Sequence, residues 1–274
     1  MKIFLGPAGV PLVSKDRSSL GGLKTVKEIG LNAMEIEFVR GVKMQPKMAE
    51  EIGEVAKELG VSLSVHAPYY INLNSQKKQV IEASKNMIFD SADRAERMGA
   101  GAVAIHSAYY SGFNPEQTYE KTKEGFVDVL DKMKSSGIKN VKLGIETMAR
   151  WSQFGSLDEC MKLAKEIDVI PFIDWSHLFV RGKGTIDYAN IFDKLKKLKL
   201  NHIYSHFQNV EKNKKGEFVD VHKPLDHSPS FEPLAKEILK RKTDITIICE
   251  SPIIEQDSLK MKSIFEKLNH KLIT

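Results

Sequence analysis

The feature that most constrains this fold is a regular alternation of short, β-branched runs with longer helical segments along all 274 residues. Each run has roughly four to eight mostly apolar residues between turn or polar residues, as buried parallel strands do. The sequence predicts eight such strands, at 2–7, 33–39, 62–67, 102–107, 142–147, 169–175, 202–208 and 245–250.

Helical patterns fill the intervals between the predicted strands. In segment 78–98, apolar residues such as Val80, Ala83 and Met87 recur on one helix face, and Gly99 follows as a helix end. The predicted helices are 46–59, 78–98, 115–134, 157–166, 186–198, 231–241 and 258–268. Because no Pro/Ser-rich linker divides the chain, we predict an α/β fold with one domain over 1–274, a (β/α)₈ TIM barrel.

Composition excludes several classes of protein. With 42% hydrophobic and 28% charged residues the chain is neither disordered nor collagen-like, and no apolar run is long enough to cross a membrane. Two cysteines cannot form a disulfide framework, so we expect a reducing, cytoplasmic location and no membrane partner. The net charge of +5 permits contact with a polyanion but is weak evidence for one. We also expect a monomer.

Side chains that bind metals recur where the predicted strands end. In a barrel enzyme the reaction centre lies at the C-terminal ends of the strands, so these side chains should converge on one pocket. Asp220 and His222 are two apart and would share one side of an extended segment, whereas Asp174 and His177, three apart, require the chain to leave strand geometry. The predicted set, nine in all, is His66, His106, Glu146, Asp174, His177, His206, Asp220, His222 and Glu250.

The chemistry of this set points to bound cations. A single buried histidine is more often a hydrogen-bonded structural residue than a ligand, and we assign that role to His202. For the whole set, burying four carboxylates together without a cation would be costly. Five imidazoles and four carboxylates suit zinc or manganese better than calcium or magnesium. One ion takes about four to six ligands, so the set suits two or three ions.

The motifs that carry these residues resemble one family across essentially the whole chain. They are HAPYYINL at 66–73, D-x-x-H at 174–177, D-x-H at 220–222 and ESP at 250–252, with His106 and Glu146 as single positions in the same order. This series resembles endonuclease IV, the second family of AP endonucleases. The chain looks like a divergent member of archaeal or thermophilic type.

The resemblance implies a barrel with three zinc ions, manganese or iron being possible substitutes. It implies a hydrolase that cleaves duplex DNA on the 5′ side of abasic sites and leaves a 3′-hydroxyl, with Glu146 as the catalytic residue that orients the attacking water. The implied ligands are His66 and His106 for one ion, Glu146 as a bridge, Asp174, His206 and Glu250 for the second ion, and His177, Asp220 and His222 for the third.

The resemblance also implies which residues contact DNA. The family inserts side chains from the loops after the second and third strands into the duplex. The matching positions here are Arg40, in EFVRG, and Tyr69 and Tyr70, in HAPYYIN. Aromatic faces at a site mouth can stack on exposed bases, and an arginine can offset phosphate charge.

The loops after four of the ligands depart from the family pattern. The chain reads HSAYYSG after His106, TMARWSQFG after Glu146, and FQN after His206. After His222 it reads KPLDHSPSF, without the usual Gly-x-Gly. The departures affect the loops that shape the substrate pocket, so metal binding is the firmer of the two predictions.

Two other functions are open on the same residues. A sugar isomerase or epimerase on this barrel uses one ion held at Glu146, Asp174, His206 and Glu250, so those four residues do not discriminate. The remaining five ligands do, because a one-metal isomerase does not need them. A non-catalytic, metal-stabilised nucleic-acid binder is the third hypothesis; a complete ligand set, costly to bury, argues against it.

Overall fold

The computed structural model describes residues 1–272, in which eight parallel strands form a nearly closed barrel and confirm the predicted fold class. The strands are β1 (Ile3–Pro7), β2 (Ala33–Glu37), β3 (Ser62–His66), β4 (Ala102–Ile105), β5 (Lys142–Glu146), β6 (Val169–Asp174), β7 (Ile203–Phe207) and β8 (Ile245–Cys249). Neighbouring strands follow the order β1-β8-β7-β6-β5-β4-β3-β2. At the seam between β1 and β2 the Gly9 amide donates to the Glu35 carbonyl at 3.0 Å.

Helices surround the barrel, and their ends follow local sequence rules. Pro46 begins one helix, where its missing N–H costs nothing, and Gly60 ends it in the left-handed region at φ 69°. Asn114 and Ser156 each form a reciprocal capping box. The helices are α1 (Ser19–Glu28), α2 (Pro46–Leu59), α3 (Lys78–Met98), α4 (Pro115–Ser135), α5 (Leu157–Glu166), α6 (Trp175–Arg181), α7 (Tyr188–Lys196), α8 (Glu232–Arg241) and α9 (Ile254–Lys267). No helix among residues 1–272 has both the length and the apolar character needed to cross a membrane.

Four features differ from the sequence-based expectations. Helix α1 is present where no helix is predicted, and Trp175 begins α6 instead of ending a strand. A hairpin lies outside the predicted strands: Asn209–Lys212 pairs antiparallel with Phe218–Lys223. A second antiparallel pair, Ala108–Tyr109 with Gln153–Phe154, joins the loops that follow β4 and β5.

Two apolar regions support the barrel and leave its upper end free. The larger one lies between the sheet and the helices, and a smaller one inside the barrel contains Ala102, Ala104, Ile170 and Phe172. The Phe172 ring packs against His206, with ring centroids 4.6 Å apart. The barrel interior is therefore filled from below up to the level of the predicted metal ligands.

Candidate metal centre

All nine residues of the predicted ligand set lie together at the C-terminal end of the barrel. They fall into groups whose candidate ligand atoms all lie within 4.8 Å of one another. Glu146 and His177 each belong to two groups, which makes three of the four groups contiguous; the fourth lies beside them, with His206 Nδ1 3.3 Å from Glu146 Oε1. The groups are His66–His106–Glu146, His177–Asp220–His222, Glu35–His206–Glu250 and Glu146–Asp174–His177.

The strand-to-helix junction at Asp174 sets the position of two of these side chains. The Asp174 carboxylate accepts the His177 backbone amide at 2.7 Å, which caps α6 and places His177 within its first turn. The Gln208 side-chain amide donates to the other Asp174 oxygen at 3.0 Å. Asp220 and His222 alternate on the strand Phe218–Lys223, and both face the same region. Helix capping and strand alternation therefore bring the group His177–Asp220–His222 together.

The spacing between ligand atoms fits tetrahedral cations. The His66 and His106 Nε2 atoms lie 3.4 and 2.9 Å from Glu146 Oε2, and the His177 and His222 Nε2 atoms lie 3.3 and 3.5 Å from Asp220 Oδ1. A tetrahedral zinc with bonds of about 2.0–2.1 Å places its ligands roughly 3.3 Å apart. The side chains thus have room for a cation between them without rearrangement.

Backbone carbonyls fix the ring orientation of three histidines. The outer Nδ1 of His66 contacts the Ala67 carbonyl at 2.6 Å, that of His177 contacts Thr147 at 2.9 Å, and that of His222 contacts Glu250 at 2.8 Å. When Nδ1 donates to these oxygens, Nε2 faces the carboxylates and is the nitrogen that a metal can bind once its proton is lost. Metal-binding histidines are usually oriented in this way by the group bound to the other nitrogen.

His206 has the opposite orientation and an acidic outer partner. Its Nε2 lies 2.8 Å from Glu35 Oε1, and its Nδ1 faces Glu146 Oε1 at 3.3 Å and Glu250 Oε1 at 3.6 Å. Glu35 is fully buried, and the Ser64 hydroxyl donates to its other oxygen at 2.7 Å. Sequence reasoning missed Glu35. The available signal was the alternation of Glu35 and Glu37 with apolar residues in β2.

Several buried polar atoms among residues 1–272 lack hydrogen-bond partners at the point where cations would bind. They are His66 Nε2, Glu146 Oε2 and Asp220 Oδ1, each of which faces another member of the set. A buried polar atom without a partner is costly. Bound cations would provide partners for all three atoms, so these residues fit divalent metal sites.

Charge pairing between imidazoles and carboxylates shifts the pKa values of the site. Burial opposes protonation of His66 and His222, but the carboxylates of Glu146 and Asp220, their nearest acidic neighbours, raise the pKa of His66 to about 10 and of His222 to about 9. Burial also opposes ionisation of Glu146, yet the imidazoles of His106 and His206 hold its pKa well below the usual value. Metal binding therefore has to displace protons from these histidines.

The site is open on one side, where the predicted DNA-contact residues lie. His106 and His222 are 19% and 37% exposed, whereas Asp174 and His206 are fully buried. The Tyr69 ring covers His66 and His106, with centroid distances of 4.7 and 5.2 Å.

Tyr70 and Arg40 lie further out on the rim. Tyr70 is 65% exposed, and Arg40 is exposed after β2, beside a cavity of about 440 Å³ that Glu35 and Glu37 also line. Of the three predicted DNA-contact residues, Tyr69 contacts the ligand set directly, whereas Tyr70 and Arg40 are exposed on the loops after β3 and β2.

With this geometry established, the chain can be assigned to a family. A sequence profile of the xylose isomerase-like TIM barrel family matches residues 23–267, and the chain belongs to that family. An uncharacterized protein of Methanocaldococcus jannaschii is 32% identical, and the aligned region covers 97% of this chain and 98% of that protein. A protein of Oceanobacillus iheyensis named probable endonuclease 4 is 28% identical, and the aligned region covers 89% of this chain and 86% of that protein.

Solved structures that share this fold are named for different activities. Endonuclease IV from Thermus thermophilus superimposes with a TM-score of 0.73 at 19% identity, covering 95% of this chain and 98% of that one. A D-tagatose 3-epimerase-like protein superimposes with a TM-score of 0.71 at 19% identity, covering 97% and 96%. These likenesses support the fold; the choice of activity depends on the site.

Proposed function

We propose that this protein is a metal-dependent DNA-repair endonuclease that hydrolyses the phosphodiester bond 5′ to abasic sites in duplex DNA and leaves a 3′-hydroxyl. The centre would hold three divalent ions, with zinc as the metal its histidines and carboxylates favour. The observation that carries the proposal is the group His177–Asp220–His222, contiguous with the other ligands. A one-ion sugar epimerase has no use for this group.

Glu146 is suited to a central role because it uses both carboxylate oxygens. Its Oε2 faces His66 and His106, while its Oε1 lies 3.3 Å from His206 Nδ1 and 3.4 Å from His177 Nδ1. The carboxylate therefore connects the groups and can accept a hydrogen bond from the attacking water. When bound, the ions would lower the pKa of that water and stabilise charge on the phosphoryl oxygens.

The epimerase alternative shares the deepest part of the site. His206 Nδ1 lies 3.3 Å from Glu146 and 3.6 Å from Glu250, and Asp174 falls in one group with Glu146. An epimerase-like protein also has the same fold. The relative named probable endonuclease 4, similar over 86% of its own length, supports the nuclease instead. The number of bound ions separates the two functions.

Metal content is the first test. Purified protein should contain close to three divalent ions per chain by elemental analysis, mainly zinc. His177→Ala should remove chiefly one ion, because the His177 ring is the buried member of the group His177–Asp220–His222. A value of one ion per chain in the unaltered protein would support the epimerase.

Cleavage of a duplex oligonucleotide with one abasic site is the second test. We expect a nick on the 5′ side with a 3′-hydroxyl end, and loss of activity on chelation. Glu146→Gln should lower kcat by orders of magnitude, because it removes the charge that connects the groups. Glu58→Gln, an exposed change on α2, is the control and should leave kcat unchanged. An intact duplex together with ketose interconversion would contradict the proposal.

A further inference from the structure

The exposed aromatic side chains are confined to one part of the molecule. Among residues 1–272, Tyr69, Tyr70, Tyr109 and Trp151 are 40%, 65%, 38% and 67% exposed, and no other Phe, Tyr or Trp side chain is exposed to this degree. They lie on the loops after β3, β4 and β5, which are neighbouring strands of the barrel. Together they form an aromatic arc along the rim beside the candidate metal centre.

The Trp151 side chain is held in place despite its exposure. The Arg181 guanidinium donates to the carbonyls of Met148 and Arg150 at 3.1 and 3.2 Å, and its carbon lies 4.9 Å from the centre of the Trp151 ring. The paired strands Ala108–Tyr109 and Gln153–Phe154 join this loop to the one that carries Tyr109. The rigid loop leaves most of the indole free for a second stacking partner.

A basic groove begins at Trp151 and reaches the candidate metal centre. It encloses about 850 Å³, and Trp151 and Asp220 both line it. Three basic side chains, Arg150, Lys183 and Lys212, also line it, against two acidic ones, Glu217 and the candidate ligand Asp220. Three cations beside an aromatic platform match a chain of phosphates with unstacked bases.

We propose that this groove and Trp151 bind the DNA strand as it passes the metal centre. The basic side chains contact backbone phosphates, and a base exposed next to the lesion stacks on the Trp151 indole. This deepens the proposed function and rests on it. A small sugar would leave the length and charge of the groove unused. The loop that carries Trp151, 147–155, is one of those that depart from the endonuclease IV pattern.

Binding of a fluorescent duplex with one stable abasic analogue tests the stacking step. With the metal-loaded protein and a non-hydrolysable linkage 5′ to the analogue, Trp151→Ala should weaken binding by about tenfold, as loss of one stacking contact predicts. Trp151→Phe should restore part of the affinity. Leu12→Ala, an exposed apolar change elsewhere, should have no effect. Melting temperatures should stay unchanged, because Trp151 is 67% exposed.

The salt dependence of binding tests the phosphate contacts. A double variant, Lys183→Asn with Lys212→Gln, should reduce the slope of log affinity against log salt by about 2, or about 0.9 per lost phosphate contact. Asparagine is chosen because Lys183 has φ 54°. Lys47→Gln with Lys57→Gln, both exposed on α2, is the charge-matched control.

The two proposals fail in different ways. If the unaltered protein cleaves abasic DNA but the Trp151 and lysine variants bind with unchanged affinity and slope, the groove proposal is wrong and the function stands. If the unaltered protein cleaves no DNA, the proposed function is wrong. Binding that still depends on Trp151 would then support the groove as a nucleic-acid site, and binding that does not would overturn it.

Discussion

The orientation of single histidine rings decides which nitrogen is available for a metal. Three ligands of the predicted set have Nδ1 on a backbone carbonyl, so their orientation depends on main-chain geometry that a point mutation does not remove. His206 depends instead on the Glu35 carboxylate. A carboxylate partner also raises the basicity of the imidazole that it orients. Glu35 is therefore the one outer partner of these four rings that can be removed by mutation.

Metal affinity should show this role of Glu35. We expect Glu35→Ala to lower the affinity for the ion that His206 would bind by about 10–100-fold, because His206 loses its outer partner. Glu35→Gln keeps an acceptor oxygen and should lose less. Competition with a chromophoric chelator measures the change.

An exposed carboxylate provides the control for Glu35. Glu58→Gln, on α2 and away from the candidate ligands, should leave metal affinity at that of the unaltered protein. Unaltered affinity in Glu35→Ala, with three ions still bound, would show that His206 is held by packing against Phe172 alone.

At the level of single residues, sequence reasoning identified the candidate ligands that converge at the strand ends and missed their partners. A His or Asp at the end of an apolar strand stands out, as His106 and Asp174 do. Glu35 lies within a strand, and its role depends on His206, 171 positions away along the chain. Only the closed barrel brings the two together. The carbonyl partners of the other histidines carry no sequence signal at all.

At the level of secondary structure, all eight barrel strands and most helices were predictable because their apolar periodicity is strong. Helix α1 was missed because Gly21 and Gly22 lower its helix propensity. A Cβ on Gly21 would lie 2.5 Å from the Asp16 carbonyl oxygen, so close packing requires glycine at that position. Helix α6 was missed because it follows β6 without a loop. The short pair Ala108–Tyr109 and Gln153–Phe154 depends on contacts between distant loops.

The seam between β1 and β2 gives a prediction on strand packing. A Cβ on Gly6 would lie 1.7 Å from the Ala33 carbonyl oxygen, which is backbone and cannot rotate away. Gly6→Ala should therefore lower the free energy of unfolding by about 3 kcal/mol or more, or prevent folding. Urea unfolding measures the loss.

A second glycine separates this steric effect from backbone strain. Gly60 has φ 69° and open space around its Cα, so Gly60→Ala should cost only about 1–2 kcal/mol. Equal losses in the two variants would mean that the seam between β1 and β2 is able to widen.

At the level of the whole molecule, the candidate metal centre and the apolar core are separate sources of stability. The predicted ligands come from the ends of β3 to β8, from α6 and from the hairpin, so bound ions would connect strands around most of the barrel. The apolar layer between sheet and helices is complete without them. The metal-free protein should accordingly keep its fold.

Thermal unfolding with and without a chelator tests that separation. Each ion present at a hundredfold excess over its Kd raises the free energy of unfolding by about 2.7 kcal/mol. Removing the ions should therefore lower Tm by at least about 5 °C. The far-UV circular dichroism spectrum at 25 °C should not change, because the helices and the barrel interior do not depend on the ligands. His177→Ala, with one ion fewer, should show a smaller chelator-induced shift. Loss of helical signal on chelation would contradict this and would mean that the paired carboxylates cannot be held together by their histidines alone.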